Sequence, residues 1–172
     1  MQIRPILLNS CARAATAAEA RFRIDAPIKP SRATRVVALD DSAAAVIREV
    51  AAQPWASARF FSCDLDQPPS DGDARSADAV RLRTIDGTRT QLADELADVD
   101  VAVMVATSDD GAEAAAVIGA ACTVRGIMTA GLVVGEGREA GDAAGALRPH
   151  ARFLLVSADE HDVVEVLTAL RA

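Results

Sequence analysis

Three short acidic turns are the first candidates for chemistry, because each follows a run of apolar residues. The first is Asp40-Asp41-Ser42, the second contains Asp64, and the third is Thr107-Ser108-Asp109-Asp110-Gly111. Side-chain oxygens in such turns can cap the helix that follows, because they accept hydrogen bonds from its unpaired amides. They can also converge and bind a divalent cation such as Mg²⁺, or a cationic ligand. The sequence leaves both interpretations open.

Two glycines form a fourth candidate. Gly135 and Gly137 follow another apolar run, and glycine lets a backbone approach a ligand closely. Two glycines without a third at helix spacing are also common in ordinary turns. We therefore predict that Gly135 and Gly137 join the acidic turns as ligand-binding residues, with an ordinary turn as the alternative.

The histidines and cysteines carry less information. His150 follows Pro149 at a predicted turn, and His161 lies in the first turn of a predicted helix, where acidic neighbours favour a solvated position. The cysteines, Cys11, Cys63 and Cys122, are far apart and lack the CxxC spacing of zinc or redox sites. We expect reduced thiols in a cytoplasmic protein, with no catalytic residue and no cysteine or histidine metal site.

Composition and charge exclude several classes of function. The 172 residues carry a formal charge of −7, with 18 Lys and Arg against 25 Asp and Glu, which disfavours nucleic-acid binding. No apolar run approaches the roughly 18 residues that a membrane-spanning helix requires. The 38 alanines and the absence of tyrosine favour close packing of elements over a large binding platform. We expect neither a nucleic-acid nor a membrane partner.

From Thr34 onward one pattern repeats: an apolar run, a short polar turn and an alanine-rich helix. The predicted strands are 35–39, 58–63, 79–84, 101–106, 127–134 and 152–156. The predicted helices run from the turn 40–42 to Gln53, from Thr88 or Arg89 to Ala97, over 112–124, up to Leu147, and over 159–170, with a loop at 67–78. This alternation predicts an α/β fold, a three-layer, doubly wound, mostly parallel sheet of about six strands of the Rossmann-like kind.

The predicted parallel sheet places the candidate turns at one edge. In such sheets ligands bind beyond the carboxyl ends of the strands, where the strand order reverses. The four turns 40–42, 64–66, 107–111 and 135–140 all follow predicted strands, so they are expected to border one crevice. The α/β domain is predicted to cover residues 34–172.

Residues 1–33 differ from this domain. They are rich in Ala and Arg, and Pro27 and Pro30 end the stretch. The pattern predicts a short strand or arm, then a helix from Asn9 or Ser10 to about Phe22. We expect this arm to dock on the domain or on a second subunit of a homo-oligomer; a targeting peptide or membrane-associated segment is the alternative.

The segments ADVDVAVMVAT, GAEAAAVIGAACTVRGIMTAGLVV, GEGREAGDAAGAL and ARFLLVSADE follow one another between Leu92 and Ala172. In this order of strands and small-residue turns, the stretch resembles the nucleotide-binding domain of the tubulin-like bacterial cell-division GTPases. RVVALDDSAAAVIREV resembles that family's first strand and loop more weakly. The resemblance implies GTP binding through glycine-rich loops after the first and fourth strands.

Those two loops depart from the family's pattern. Residues 39–43 contain no glycine and residues 107–111 contain one, while each loop carries two adjacent aspartates. Like charges a few ångströms from a triphosphate cost binding energy. We therefore expect a non-catalytic, tubulin-like or Rossmann-like binding or assembly module with an unknown protein partner, no GTP hydrolysis and no resident cofactor. The alternative is an enzyme or regulator that binds a small ligand or divalent cation in the acidic crevice.

Overall fold

The computed structural model describes residues 31–64, 80–135 and 140–172. Most of the predicted arm, the predicted loop 67–78 and Gly137 lie outside the described residues. The strands are β1 (Thr34–Ala38), β2 (Ala58–Cys63), β3 (Arg81–Thr84), β4 (Arg89–Gln91), β5 (Val101–Ala106), β6 (Met128–Val134) and β7 (Phe153–Ala158). The helices are α1 (Asp41–Ala51), α2 (Leu92–Glu95), α3 (Ala112–Arg125), α4 (Gly141–Leu147) and α5 (Glu160–Leu170), and a 3₁₀ turn, Asp109–Gly111, leads into α3.

The strands form one seven-stranded sheet in the order β4-β3-β2-β1-β5-β6-β7. Five neighbouring strands, β2, β1, β5, β6 and β7, are parallel, whereas β3 and β4 are antiparallel to their neighbours. Counted among the parallel strands alone, the order is 2-1-3-4-5, one of the common doubly wound orders. The predicted mostly parallel α/β fold is confirmed.

Helices cover both faces of the sheet and give three layers. Residues Val36, Val103 and Leu132 point to one face, where they pack with α1 and α5. On the opposite face, Val37 and Met104 pack with α2, α3 and α4. All six residues of β5 are buried, because a central parallel strand meets a helix layer on either side. This burial on both sides explains the unbroken apolar runs in the sequence.

The region after β3 differs from the prediction. A helix was expected to begin at Thr88 or Arg89, but Arg89–Gln91 is an edge strand, and the helix runs only from Leu92 to Glu95. The turn at Asp86-Gly87, where Gly87 has φ of 86°, lets the chain reverse and pair β4 with β3. A hairpin therefore replaces the first turn of the expected helix, and it adds a seventh strand.

Among the described residues, no helix is long and apolar enough to cross a membrane.

Candidate functional site

The strand order reverses between β1 and β5. Chain connections from β1 lead to β2 on one side, and β5 begins the series that extends to the other side. The turns that follow these two strands meet at the carboxyl edge of the sheet. Asp40 follows β1 and Thr107 follows β5, so the structure brings these two predicted site residues into contact.

Asp40 is the centre of this contact. Its side chain is buried, with the residue 5% exposed, and Oδ1 accepts a hydrogen bond of 2.8 Å from the Ala43 amide in the first turn of α1. Oδ2 accepts hydrogen bonds of 2.7 Å from the Thr107 amide and 3.2 Å from the Ser108 amide. The Thr107 hydroxyl donates a further short hydrogen bond to Oδ1.

These four donors use the carboxylate fully, since an ionised carboxyl group offers about four lone-pair positions. The prediction that Asp40 caps a helix is confirmed by the bond from Ala43. The bonds from Thr107 and Ser108 add a link between the turns after β1 and β5, which the sequence does not reveal. The Asp40 carboxylate accepts hydrogen bonds from the same backbone amides that an anionic ligand at a switch point would use.

Asp41 and Ser42 point elsewhere. Both lie in the first turn of α1, and both are exposed. At this position the charge of Asp41 interacts favourably with the amino-terminal end of the helix dipole. The structure therefore brings Asp40, but not its two neighbours, into the crevice between β1 and β5.

The turn after β5 does not cap its own helix. The 3₁₀ turn and α3 start without a side-chain cap, which corrects the capping prediction for Ser108, Asp109 and Asp110. Asp109 Oδ1 instead accepts hydrogen bonds of 2.7 Å from the Asp142 amide and 3.0 Å from the Ala143 amide, at the start of α4. The intervening 3₁₀ turn redirects Asp109 towards this neighbouring helix.

The other two residues of this turn have local roles. The hydroxyl of Ser108 donates a hydrogen bond of 3.3 Å to Asp110 Oδ2. Gly111 is buried against the backbone of Leu39, so that an added Cβ would lie 2.5 Å from Leu39 Cβ and 2.8 Å from its carbonyl oxygen. The glycine is needed for close packing of the two turns, and this contact helps to close the crevice.

Asp64, at the end of β2, is drawn towards the hairpin. Its two carboxylate oxygens lie 3.1 Å from the side-chain nitrogens of Arg83 and Arg89, while its own side chain is 4% exposed. These ion pairs hold β3 and β4 against the parallel sheet.

Gly135 comes directly after β6. It has φ of 103°, and its amide donates a hydrogen bond of 3.0 Å to the Ala158 carbonyl.

The two described cysteines are Cys63, which is half-buried, and Cys122, which is buried. Burial, reinforced by the Asp40 carboxylate, raises the pKa of the Cys63 thiol to about 12. Burial likewise raises the pKa of the Cys122 thiol to about 11. These thiols are poor nucleophiles near neutral pH, because the thiolate is the reactive form.

Sequence patterns did not predict an ion-pair cluster that lies near the amino ends of β1 and β2. Glu95 at the end of α2 is buried, and its Oε2 lies 2.7 Å from Arg59 Nη1 and 3.3 Å from Arg35 Nε. Thr90 donates to Oε1 at 3.2 Å. Burial lowers the pKa of the Arg35 guanidinium, and Glu95 opposes that effect. The two arginines lie 36 or more residues from Glu95 in sequence, so no local pattern could have found these ion pairs.

Two further observations concern ligands. Within residues 31–64, 80–135 and 140–172, no group of three or more His, Cys, Asp or Glu side chains is placed to hold a metal ion. A cleft of about 420 Å³ lies away from the switch point, between α1 and the β2–β3 pair, and its lining includes Arg48, Phe60 and Ile85. The predicted divalent cation stays a prediction.

No protein-family model, no curated protein and no solved structure matches this chain.

Proposed function

We propose that this chain is a non-catalytic Rossmann-like module for binding and assembly, that it acts as a homo-oligomer, and that it hydrolyses no GTP. The observation that carries the proposal is the four-donor arrangement around Asp40. The resemblance to tubulin-like GTPases stays a prediction, and within it this chain would be a member without phosphate-binding chemistry.

Phosphate groups bind at switch points because backbone amides there are unpaired and point at the ligand. In this chain the amides of Ala43, Thr107 and Ser108 already donate to Asp40. The carboxylate is covalently attached, so it competes with any free anion at a high effective concentration. A phosphate would have to displace it and leave a buried negative charge unpaired.

Charge and packing support the same proposal. Asp41, Asp109 and Asp110 add negative charge to the two turns that would face a triphosphate. Gly111 packs on Leu39 without room for even a methyl group, so the glycine does not leave an open cradle. An anionic nucleotide therefore meets repulsion and a filled site at this edge of the sheet.

Thermal unfolding with added ligands tests the proposal. Mg-GTP, Mg-ATP and NAD are each expected to leave the melting temperature of the wild-type chain unchanged. A ligand at 100 times its dissociation constant would add about 2.7 kcal/mol to the free energy of unfolding. A reproducible rise with any of these nucleotides would contradict the proposal.

An Asp40→Ala variant provides a positive control for the site itself. Removing the carboxylate frees the amides of Ala43, Thr107 and Ser108, so formate or inorganic phosphate should stabilise this variant at constant ionic strength. The same anions should have little effect on wild type and on the matched Asp41→Ala variant. Equal stabilisation of all three proteins would show that these anions do not act through the Asp40 pocket.

A further inference from the structure

The two edges of the sheet differ in length and charge. β4 has only three residues, Arg89–Gln91, and Arg89 is paired with Asp64. Short, charged edge strands resist pairing with another chain. β7 has six residues, Phe-Leu-Leu-Val-Ser-Ala, with no charge and no proline. This edge therefore lacks the short length and the charge that protect β4.

Within the described residues, one side of the β7 backbone has no partner strand. The Arg152 amide donates to the Thr129 carbonyl of β6 at 2.8 Å, and peptide groups alternate in direction along a strand. The N–H and C=O groups of Phe153 and Leu155 therefore point to the open side. In the described part of the chain, no strand lies beyond β7. Ser157, with φ of 63°, ends the regular strand after Val156.

Apolar side chains are also exposed on this strand. The large hydrophobic side chains that are exposed among the described residues are Ile85, Val124, Phe153 and Val156. Two of these four belong to β7, where Phe153 is 47% and Val156 is 41% exposed. An apolar edge with free backbone groups is the type of surface that binds another strand.

The charges that flank β7 indicate which partner strand would bind there. Exposed Arg148 and Arg152 precede β7, and exposed Asp159 and Glu160 follow it. An antiparallel second copy of the same strand would place the basic start of each copy beside the acidic end of the other. Parallel pairing would instead bring like charges together. A two-fold axis makes such an interface self-complementary, because each copy contributes the same residues.

We infer that β7 pairs antiparallel with β7 of a second copy of this chain over Phe153–Val156, so that the two sheets become one continuous sheet. The inference rests on the proposed function as an assembly module and gives it an interface. Pairing satisfies the open peptide groups of Phe153 and Leu155, and it reduces the exposure of Phe153 and Val156 in both copies.

Light scattering after size exclusion of the full chain tests the interface. Wild type should show twice the chain mass of 17.9 kDa. Phe153→Lys and Val156→Lys should each return the mass to that of one chain, because a lysine on an edge strand opposes pairing. The matched control is Ile85→Lys, since Ile85 is 42% exposed after β3 near the other edge; its mass should equal that of wild type.

Amide hydrogen exchange supplies a second measurement that also reports folding. The Leu155 amide should exchange slowly in wild type and at least tenfold faster in both lysine variants, and the Phe153 amide should show the same change in Val156→Lys. The Leu154 amide, which faces β6, should stay protected in every variant that is folded.

The outcomes separate the interface from the proposed function. A wild-type mass of one chain would overturn both this inference and the assembly part of the proposal. A dimer that persists in both lysine variants, with fast exchange of the Leu155 amide, would overturn only the β7 interface. Dissociation of Ile85→Lys to the same extent would also overturn it, because the effect would not depend on β7.

Discussion

Replacing Asp40 by alanine should destabilise the fold more than any other substitution in the acidic turns. The buried carboxylate accepts hydrogen bonds from the amides of Ala43, Thr107 and Ser108 and from the Thr107 hydroxyl. Alanine removes the acceptor of all four donors at once, and it leaves amides from two different strand ends without a partner.

The expected loss of unfolding free energy follows from the contributions of the individual contacts of Asp40. An N-cap aspartate contributes about 1 kcal/mol to helix stability, and a hydrogen bond to a charged group contributes about 1.5–3 kcal/mol. Thr107 and Ser108 are half-buried, so water can replace part of what is lost. We expect Asp40→Ala to lower the free energy of unfolding by about 4 kcal/mol, a large share of the roughly 5–15 kcal/mol of a typical domain. In a chain of this size, that loss lowers the melting temperature by about 10 °C.

Urea unfolding measures this loss through Trp55, the one tryptophan in the chain, whose indole donates to the Val50 carbonyl at 2.9 Å. Far-UV circular dichroism should give the same transition if unfolding is two-state. Asp41→Ala, in the exposed next position, should cost less than about 1 kcal/mol. Equal stability of the two variants, or a loss of less than about 1 kcal/mol of unfolding free energy in Asp40→Ala, would refute this prediction.

Three further predictions concern other parts of the structure. Glu95→Ala should lower the free energy of unfolding, measured in urea, by about 3 kcal/mol, because the half-buried Arg35 loses its buried counter-charge; a loss within the error of wild type would contradict this. Gly111→Ala should lower the free energy of unfolding by about 2 kcal/mol, because the added methyl group meets Leu39. The matched control, Gly145→Ala, has open space around it in α4 and should be neutral or stabilising by up to about 1 kcal/mol. A loss of stability in both variants, or in neither, would contradict this prediction. In a Cys11→Ser background at pH 8, Cys63 and Cys122 should react with a thiol reagent only after unfolding, since their pKa values are raised to about 12 and 11. Because these thiols ionise near pH 9.0 when unfolded, unfolding releases protons above that pH, and stability should fall as pH rises from 9 towards 11.

Much of the fold could be predicted from the sequence, because burial on both faces of a parallel sheet leaves a direct pattern. The run Val101–Ala106 is buried at every position, and it was predicted with these bounds. The helix predicted over 112–124 is confirmed as Ala112–Arg125, and Gly126, with φ of 68°, ends it in the left-handed conformation. The hairpin at β4 was missed because Arg-Thr-Gln has no apolar alternation, and its strand depends on pairing with β3.

The side-chain contacts of the site were less predictable. A capping bond such as that from Ala43 to Asp40 joins residues three apart, so the sequence can indicate it. The bond from Thr107 to the same carboxylate spans 67 residues, and the bond from Asp142 to Asp109 spans 33. These contacts depend on which strands become neighbours, and the sheet order is a property of the whole chain.

The carboxyl edge of the sheet and the lateral edge at β7 differ in whether their backbone groups already have partners. At the carboxyl edge of the sheet, Asp40 and Asp109 satisfy backbone amides within the chain, so a ligand there gains only what it takes from an existing partner. At β7, the outward peptide groups of Phe153 and Leu155 have no neighbouring strand among the described residues. A partner that pairs with them gains hydrogen bonds without breaking internal ones, apart from those to water. Recognition is therefore favoured at the lateral edge of this sheet, even though ligands of doubly wound folds usually bind at the switch point.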